Sequence, residues 1–296
     1  MTKSFRAAII TAGMCCSVAF ATEPWKLDIN ANLTMTLNSY SDSWVGGDAG
    51  SFTWNSQFMG SAERQLTEKM NTKTTLKLQF GQTKLQDKAT KHWSSPKKSS
   101  DLIDLEELFR FTLGAWVDPF ISVRGISQFL DERDTLQTRY CNPWDITEAA
   151  GISKTLKKTE QIEWASRLGI AARQLIDRDK PDPATGKRET DVTNDGGLEF
   201  NMDCKVTNKE KWISFISALK IYEALLSSKA DEFKGTADED DWRYPHVKFE
   251  NTLSLTFAKY LMLSLSVYAY YDKDIDDDVR LKQTLSAGLT YIFSKK

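Results

Sequence analysis

Five aspartates crowd the segment YYDKDIDDDVR, residues 270–280: Asp272, Asp274, Asp276, Asp277 and Asp278. Carboxylates at that density are hard oxygen donors, and the ligand they would take is a divalent cation. A second acidic run, ADEDDW at 237–242, precedes the same hairpin and would lie near the first. The spacing has neither the glycine nor the distal glutamate of a twelve-residue calcium loop. The competing reading is a solvated acidic rim, since runs of like charge commonly face water. A divalent cation at these loops is the one cofactor for which the residues offer ligands.

A second set of charges is dispersed rather than clustered: Lys73, Lys77, Arg110, Arg124, Glu163, Arg167, Arg173, Asp203, Lys220, Glu250 and Arg280. Glu199, Lys205, Lys248 and Lys282 follow the same pattern. Each alternates with apolar neighbours, which places it on the polar face of a strand. Two functions fit such a set: an ion-pair network that fills an enclosed interior, or the lining of a narrow polar conduit. Catalytic chemistry has few carriers. The only histidines are His92 and His246, and the chain holds no H-E-x-x-H, C-x-x-C or G-x-S-x-G. No catalytic residue and no cofactor-binding residue is assigned. The glycines of WVGGDAG, 44–50, and NDGG, 194–197, stand outside any strand-to-helix phosphate loop, so turn chemistry accounts for them.

The elements that must carry these charges have a period of two. Leu281, Leu285, Ala287, Leu289, Tyr291 and Phe293 alternate with Lys282, Thr284, Ser286, Gly288 and Thr290. Leu261, Leu263, Leu265 and Val267 repeat the pattern, as do Leu27, Ile29, Ala31 and Leu33. Twelve such strands are predicted, with a margin of two: 26–40, 50–66, 69–82, 103–117, 119–131, 145–157, 160–177, 194–208, 211–226, 245–258, 260–272 and 279–293. Connections alternate short with long. The short ones are Leu-Thr-Glu, Val-Asp-Pro, Lys-Lys-Thr, Asn-Lys-Glu and Ala-Lys-Tyr; the long ones are 41–49, 83–102, 132–144, 178–193 and 227–244, with a shorter sixth at 273–278. Two strands are ambiguous: Trp212, Phe215, Ile216, Leu219, Tyr222 and Leu226 fit a helix nearly as well, and ISKTLKK in 145–157 hardly alternates.

Short turns on one side, long loops on the other and an even strand number describe an antiparallel, up-and-down transmembrane β-barrel. Lipid offers the backbone no hydrogen-bonding partner, so a spanning sheet must close on itself. Only one residue in two need be apolar, which reconciles membrane insertion with a polar composition. Aromatics gather at the strand ends, as interfacial girdles require: Trp25, Trp164, Tyr260, Tyr291 and Phe293 at the short-turn end, Tyr40, Trp54, Trp144, Trp242 and Tyr270 at the other. Twelve strands fall between a filled eight-stranded barrel and an open sixteen-stranded channel, so strand number leaves the lumen undecided.

The N-terminus supplies the compartment. Lys3 and Arg6 precede a run from Ala7 to Phe20 that is mostly apolar, and Ala19-Phe20-Ala21 has the form of a cleavage site. Residues 1–21 are read as a cleaved signal peptide and 22–296 as a single outer-membrane barrel domain. After cleavage 37 cations face 41 anions, a balance with no basic field for nucleic acid. No interior stretch reaches 18 consecutive apolar residues, so no transmembrane helix is expected. Of four cysteines, Cys141 and Cys204 remain, placed too far apart to bridge. Expected partners are outer-membrane lipid, the barrel-assembly machinery and a small solute of unknown identity. A near-terminal Phe293 resembles the assembly signal of such barrels, although Ser294, Lys295 and Lys296 follow it.

Within 27–131, LTMTLNSYSDSWVGGDAGSFTWNSQF, NTKTTLKLQFGQTK and KKSSDLIDLEELFRF resemble family 3078 of the domains of unknown function. The shared features are Trp44 with Gly46 and Gly47, Phe80-Gly81, and Lys98 to Asp101. The resemblance implies an outer-membrane, barrel-like protein and brings no known activity or catalytic residue. The expected function is that of a structural barrel or narrow passive pore, not an enzyme. A membrane-embedded hydrolase and a secreted soluble β-protein are the alternatives.

Overall fold

Apolar-polar alternation becomes strand wherever the chain repeats it. In chain order the strands are β1 Lys26–Asn38, β2 Ser51–Thr67, β3 Met70–Leu85, β4 Lys97–Phe111, β5 Asp118–Ser127, β6 Leu130–Asp131, β7 Arg139–Tyr140, β8 Trp144–Lys158, β9 Ile162–Pro181, β10 Arg188–Thr207, β11 Ile213–Ser227, β12 His246–Phe257, β13 Leu261–Asp272 and β14 Asp276–Lys295. The computed structural model describes residues 23–41, 49–134, 137–182, 185–232, 234–235, 240–273 and 276–295. The expected signal peptide, the Gly46-Gly47 turn and Asp274 lie outside them.

Twelve of these strands close into one antiparallel barrel, in the order β1-β14-β13-β12-β11-β10-β9-β8-β5-β4-β3-β2. Each pairs with its neighbour along the chain, and β14 closes on β1 from Leu27↔Lys295 to Thr34↔Gly288. The seam is tight: a Cβ added at Gly288 would lie 2.2 Å from the Leu33 carbonyl oxygen. Strands β6 and β7 form a separate two-stranded ladder in the loop between β5 and β8.

The barrel inverts the burial of a soluble protein. Along β13, Leu261, Leu263 and Leu265 are 51%, 36% and 44% exposed, whereas Met262, Ser264 and Ser266 between them are buried. Leu281, Leu285 and Leu289 of β14, Ile170 of β9 and Val123 of β5 also present their side chains outward. The polar parity is therefore enclosed and the apolar parity is the outer surface, the arrangement lipid demands. No described helix is long and apolar enough to cross a membrane. Strand β11 settles the helix-strand ambiguity. Its residues pair with β12 from Ile213↔Leu255 to Tyr222↔His246 and with β10 on the other side; a helix here would leave both neighbours as open edges and the ring unclosed.

Four strands, β4, β5, β9 and β10, have a boundary four or more residues from expectation. Strand β4 runs over 97–111, not 103–117. Gly114, with φ of 73°, turns the chain where Leu113 to Trp116 read as strand, so the turn is 112–117 rather than Val-Asp-Pro. Strand β5 stops at Ser127 because Phe129 and Leu130 donate their amides to Asp101 instead of to a ladder. Strands β9 and β10 extend to Pro181 and back from Arg188, so the loop expected over 178–193 is mostly a protruding hairpin. The 228–245 connection contains two short helical turns, Lys229–Glu232 and Asp241–Arg243, and buries Trp242, which had been expected at the outer girdle.

Candidate functional site: the barrel interior

Register alone carries side chains into the interior, and several meet there across strands that are not neighbours. Arg167 of β9 donates to Glu106 of β4 at 2.8 Å, with two strands between them. Lys73 of β3 reaches Glu163 of β9 at 3.4 Å, and Lys158 of β8 reaches Glu63 of β2 at 3.6 Å, each over three intervening strands. Arg173 of β9 lies 3.4 Å from His246 Nδ1 of β12. Such contacts exist only across the lumen, so they act as struts. Adjacent-strand pairs reinforce them: Arg124 grips Asp104 at 2.7 and 2.6 Å, and Arg173 grips Asp145 at 3.0 and 2.9 Å, both bidentate. Arg110 donates to Thr155 at 3.2 Å.

The two walls differ. From β3 to β12 the interior is charged, and the ring of Phe120 seats against Gly169 under Arg167, whose guanidinium is 5.6 Å from the ring centre. A side chain on Gly151 would meet the Leu168 carbonyl oxygen at 2.2 Å. From β12 round to β1 hydroxyls and amides join the charges of Glu250, Arg280 and Lys282. Thr252 bonds Ser266 at 3.0 Å, Ser264 bonds Ser286 at 2.9 Å, and Thr290 donates to Asn30 at 3.4 Å.

All eleven dispersed charges occupy the enclosed parity. Lys73, Arg110, Arg124, Glu163, Arg167 and Arg173 are joined by the contacts above. Glu250 accepts the Tyr270 hydroxyl at 2.5 Å. Lys77, Asp203, Lys220 and Arg280 make no ion pair with a described residue. Several partners had no place among the expected residues: Glu63, Asp104, Glu106 and Asp145. The last three lie near the misjudged end of β4 or the weakly alternating β8; Glu63 carries the inward parity of β2 and was legible.

Several buried polar atoms of this interior have no protein partner: Asn32 Oδ1, Arg110 Nε, Arg167 Nη1, Asn201 Oδ1, Tyr222 OH, Asp272 Oδ1 and Arg280 Nε. Groups of that kind are satisfied by water in a polar cavity with room for it.

At the long-loop end, the acidic segments do come together. Lys273 pairs with Asp241 at 3.0 Å and lies 4.2 Å from the Tyr244 ring. The hydrogen bond to Asp241 holds the Lys273 ammonium above its ordinary range. Arg243 pairs with Asp240 at 2.8 Å. Asp272 turns inward to His246 at 3.2 Å, and Asp276 accepts the Asp278 amide. No group of three or more acidic, histidine or cysteine side chains suited to a metal converges among the described residues, and the chain's own cations occupy part of this rim.

The rim also holds a buried network that sequence reasoning missed, since all its residues but Asp177 of β9 lie in a loop with no periodicity. Asp131 is fully buried and pairs with Arg133 at 2.8 Å and Arg139 at 2.6 Å. Asp177 at the tip of β9 accepts Arg139 at 3.0 Å, Arg133 at 3.1 Å and Asn142 at 2.7 Å. Burial pushes the Asp131 carboxyl up, but the hydrogen bonds from Arg133 and Asn142 outweigh it and hold it well below the usual carboxylate range. The same hydrogen bond raises Arg133. Cys141 and Cys204 are both free thiols.

Residues 35–132 match the family described as "Protein of unknown function (DUF3078)". No curated protein matches the chain. Among solved structures, the COG4313 outer membrane channel of Pseudomonas putida F1 is 17% identical, with 93% of this chain and 97% of that one covered and a TM-score of 0.43. The translocator domain of the autotransporter NalP of Neisseria meningitidis is 10% identical, with 91% and 88% covered and a TM-score of 0.36. The CymD monoaromatic hydrocarbon channel is 11% identical, with 92% and 89% covered and a TM-score of 0.32.

Proposed function

We propose that the chain is a bacterial outer-membrane β-barrel, exported through a cleaved signal at 1–21, that acts as a narrow, passive, non-enzymatic pore for small polar solutes. Short turns face the periplasm and long loops the outside; lipid and the barrel-assembly machinery are its partners. The observation that carries the reading is the set of buried interior polar atoms without protein partners, from Asn32 to Arg280, which calls for a wet lumen. The exposed leucines of β13 and β14 support seating in lipid rather than water. A hydrolase acting on lipid would want a histidine beside a nucleophile on the outer face, and His246 pairs inward with Asp272 instead.

A sealed structural barrel is the second reading, favoured by the struts Arg167–Glu106 and Lys73–Glu163. Purified, refolded protein in planar bilayers separates the two. Stepwise conductance supports the pore; silent bilayers containing heat-modifiable, folded protein support the sealed barrel. Extraction by carbonate or high salt would defeat both.

A further inference from the structure

Antiparallel register brings six interior side chains into one line around half the barrel. Arg167 of β9 stands opposite Asn201 of β10, and Asn201 opposite Lys220 of β11. Lys220 stands opposite Lys248 of β12, Lys248 opposite Tyr270 of β13, and Tyr270 opposite Arg280 of β14. Directly opposed residues have Cβ atoms about 5 Å apart, and like charges in that relation repel. Lys220 and Lys248 are in that relation, and neither makes an ion pair with a described residue. Nor does Arg280, whose Nε is buried without a partner, as is Nη1 of Arg167.

Three of the nearby carboxylates are committed elsewhere; a fourth, Asp203, makes no ion pair with a described residue. Glu250 takes the Tyr270 hydroxyl at 2.5 Å, with the Tyr268 ring stacked on Tyr270 at 6.3 Å. Glu106 takes Arg167 at 2.8 Å, and Glu199 takes the Asn201 amide. What remains are the ammonium groups of Lys220 and Lys248, the guanidinium of Arg280 and one nitrogen of Arg167, none with an acceptor among the described residues. Because strands of such barrels tilt by about 40° and lie about 4.8 Å apart, a row crossing five strand pairs climbs about 15 Å along the axis. That is more than half of an apolar band about 25 Å tall.

We propose that Arg167, Lys220, Lys248 and Arg280 form a ladder for small oxyanions, the phosphate or carboxylate groups of a solute, inside the lumen. Two opposed ammonium groups and a spare guanidinium nitrogen match the divergent oxygens of such a group. An oxyanion between Lys220 and Lys248 removes their mutual repulsion. Successive cations along the climb offer sites close enough for transfer from one to the next. The inference deepens the pore reading, because it names what the wet interior would hold, and it rests on that reading for access.

The test uses the refolded full chain. The midpoint of heat-induced unfolding in micelles is compared in sodium phosphate, sodium succinate and sodium chloride at matched ionic strength. We expect phosphate or succinate to raise the midpoint above chloride, the larger shift identifying phosphate or carboxylate as the preferred group. In Lys220→Met/Lys248→Met the chloride midpoint rises, since the repulsion is gone, and the oxyanion increment disappears. Lys248→Gln alone weakens half-saturation by about tenfold, and the control Lys282→Gln, one row away, leaves it unchanged. In planar bilayers under a salt gradient, the reversal potential shows anion preference that the double variant loses. An equal midpoint in all three salts, an increment that survives the double variant, or a cation-selective pore overturns the ladder. Silent bilayers with the oxyanion increment intact leave the ladder standing and refute the pore.

Discussion

Asp131→Asn strikes the centre of the rim network. The carboxylate is fully buried and accepts from Arg133 at 2.8 Å, Arg139 at 2.6 Å and Asn142 at 3.0 Å. Asparagine preserves its volume and removes its charge. Arg139, 7% exposed, then keeps only Asp177 at 3.0 Å as counter-ion. Breaking a buried pair by removing one partner costs about 3–5 kcal/mol, and the surviving Asp177 contact argues for the lower end, about 3 kcal/mol. At about 1.4 kcal/mol per decade, the open state of the loop becomes about a hundredfold more populated. Hydrogen exchange reads this at the amides of Phe129 and Leu130, held by Asp101 at 2.7 and 2.9 Å, and of Arg178, held by Asn142 at 2.8 Å. Barrel amides such as those of β13 and β14 should keep their rates. Unchanged exchange at the three loop amides, or equal acceleration throughout the barrel, would refute the reasoning. Acid titration gives the same answer with its own sign. The folded Asp131 carboxyl titrates below its unfolded value, so its stabilisation is complete above about pH 4 and is lost as pH falls through the lower folded value. The asparagine variant lacks that acid-dependent loss.

Other substitutions probe the wall and the seam. Leu285→Arg, at an outward position 70% exposed, should cost about 2–4 kcal/mol in a bilayer, measured by denaturant titration of the folded gel band in vesicles; a soluble protein would hardly respond. Gly288→Ala should weaken closure of β14 on β1 by about 1–3 kcal/mol, since the added methyl meets the Leu33 carbonyl, and refolding yield should fall in parallel. Arg167→Leu removes a strut and leaves Glu106 without its 2.8 Å partner; stability should fall by about 3 kcal/mol while single-channel conductance rises.

The period-two segments were legible because lipid and lumen impose opposite polarity on successive residues, and that constraint is written locally. Leu261 to Tyr271 and Val279 to Phe293 needed nothing but alternation to identify strand and face. The inward charges from Lys73 to Arg280 followed from the same parity. Where alternation failed, so did the boundaries: Leu113-Gly114-Ala115-Trp116 has strand-like composition but a glycine in the left-handed region, and Lys97 to Leu102 has a polar look while pairing with β3 around a bulge at Ser99. The loop residues Asp131, Arg139 and Asn142, which meet Asp177 of β9, have no period at all.

Alone, then, the order of residues determined which face of each strand meets lipid and which charges share the inward parity, and it bounded the ring at twelve strands within two. It could not say which inward charges meet. Arg167 and Glu106 are 61 positions apart and join across the lumen, while Lys220 and Lys248 are left opposed to each other; both facts arise from the stagger of neighbouring strands at closure. Parity is a property of one strand and survives in its sequence, whereas partnership depends on the register between strands, which only the closed barrel sets.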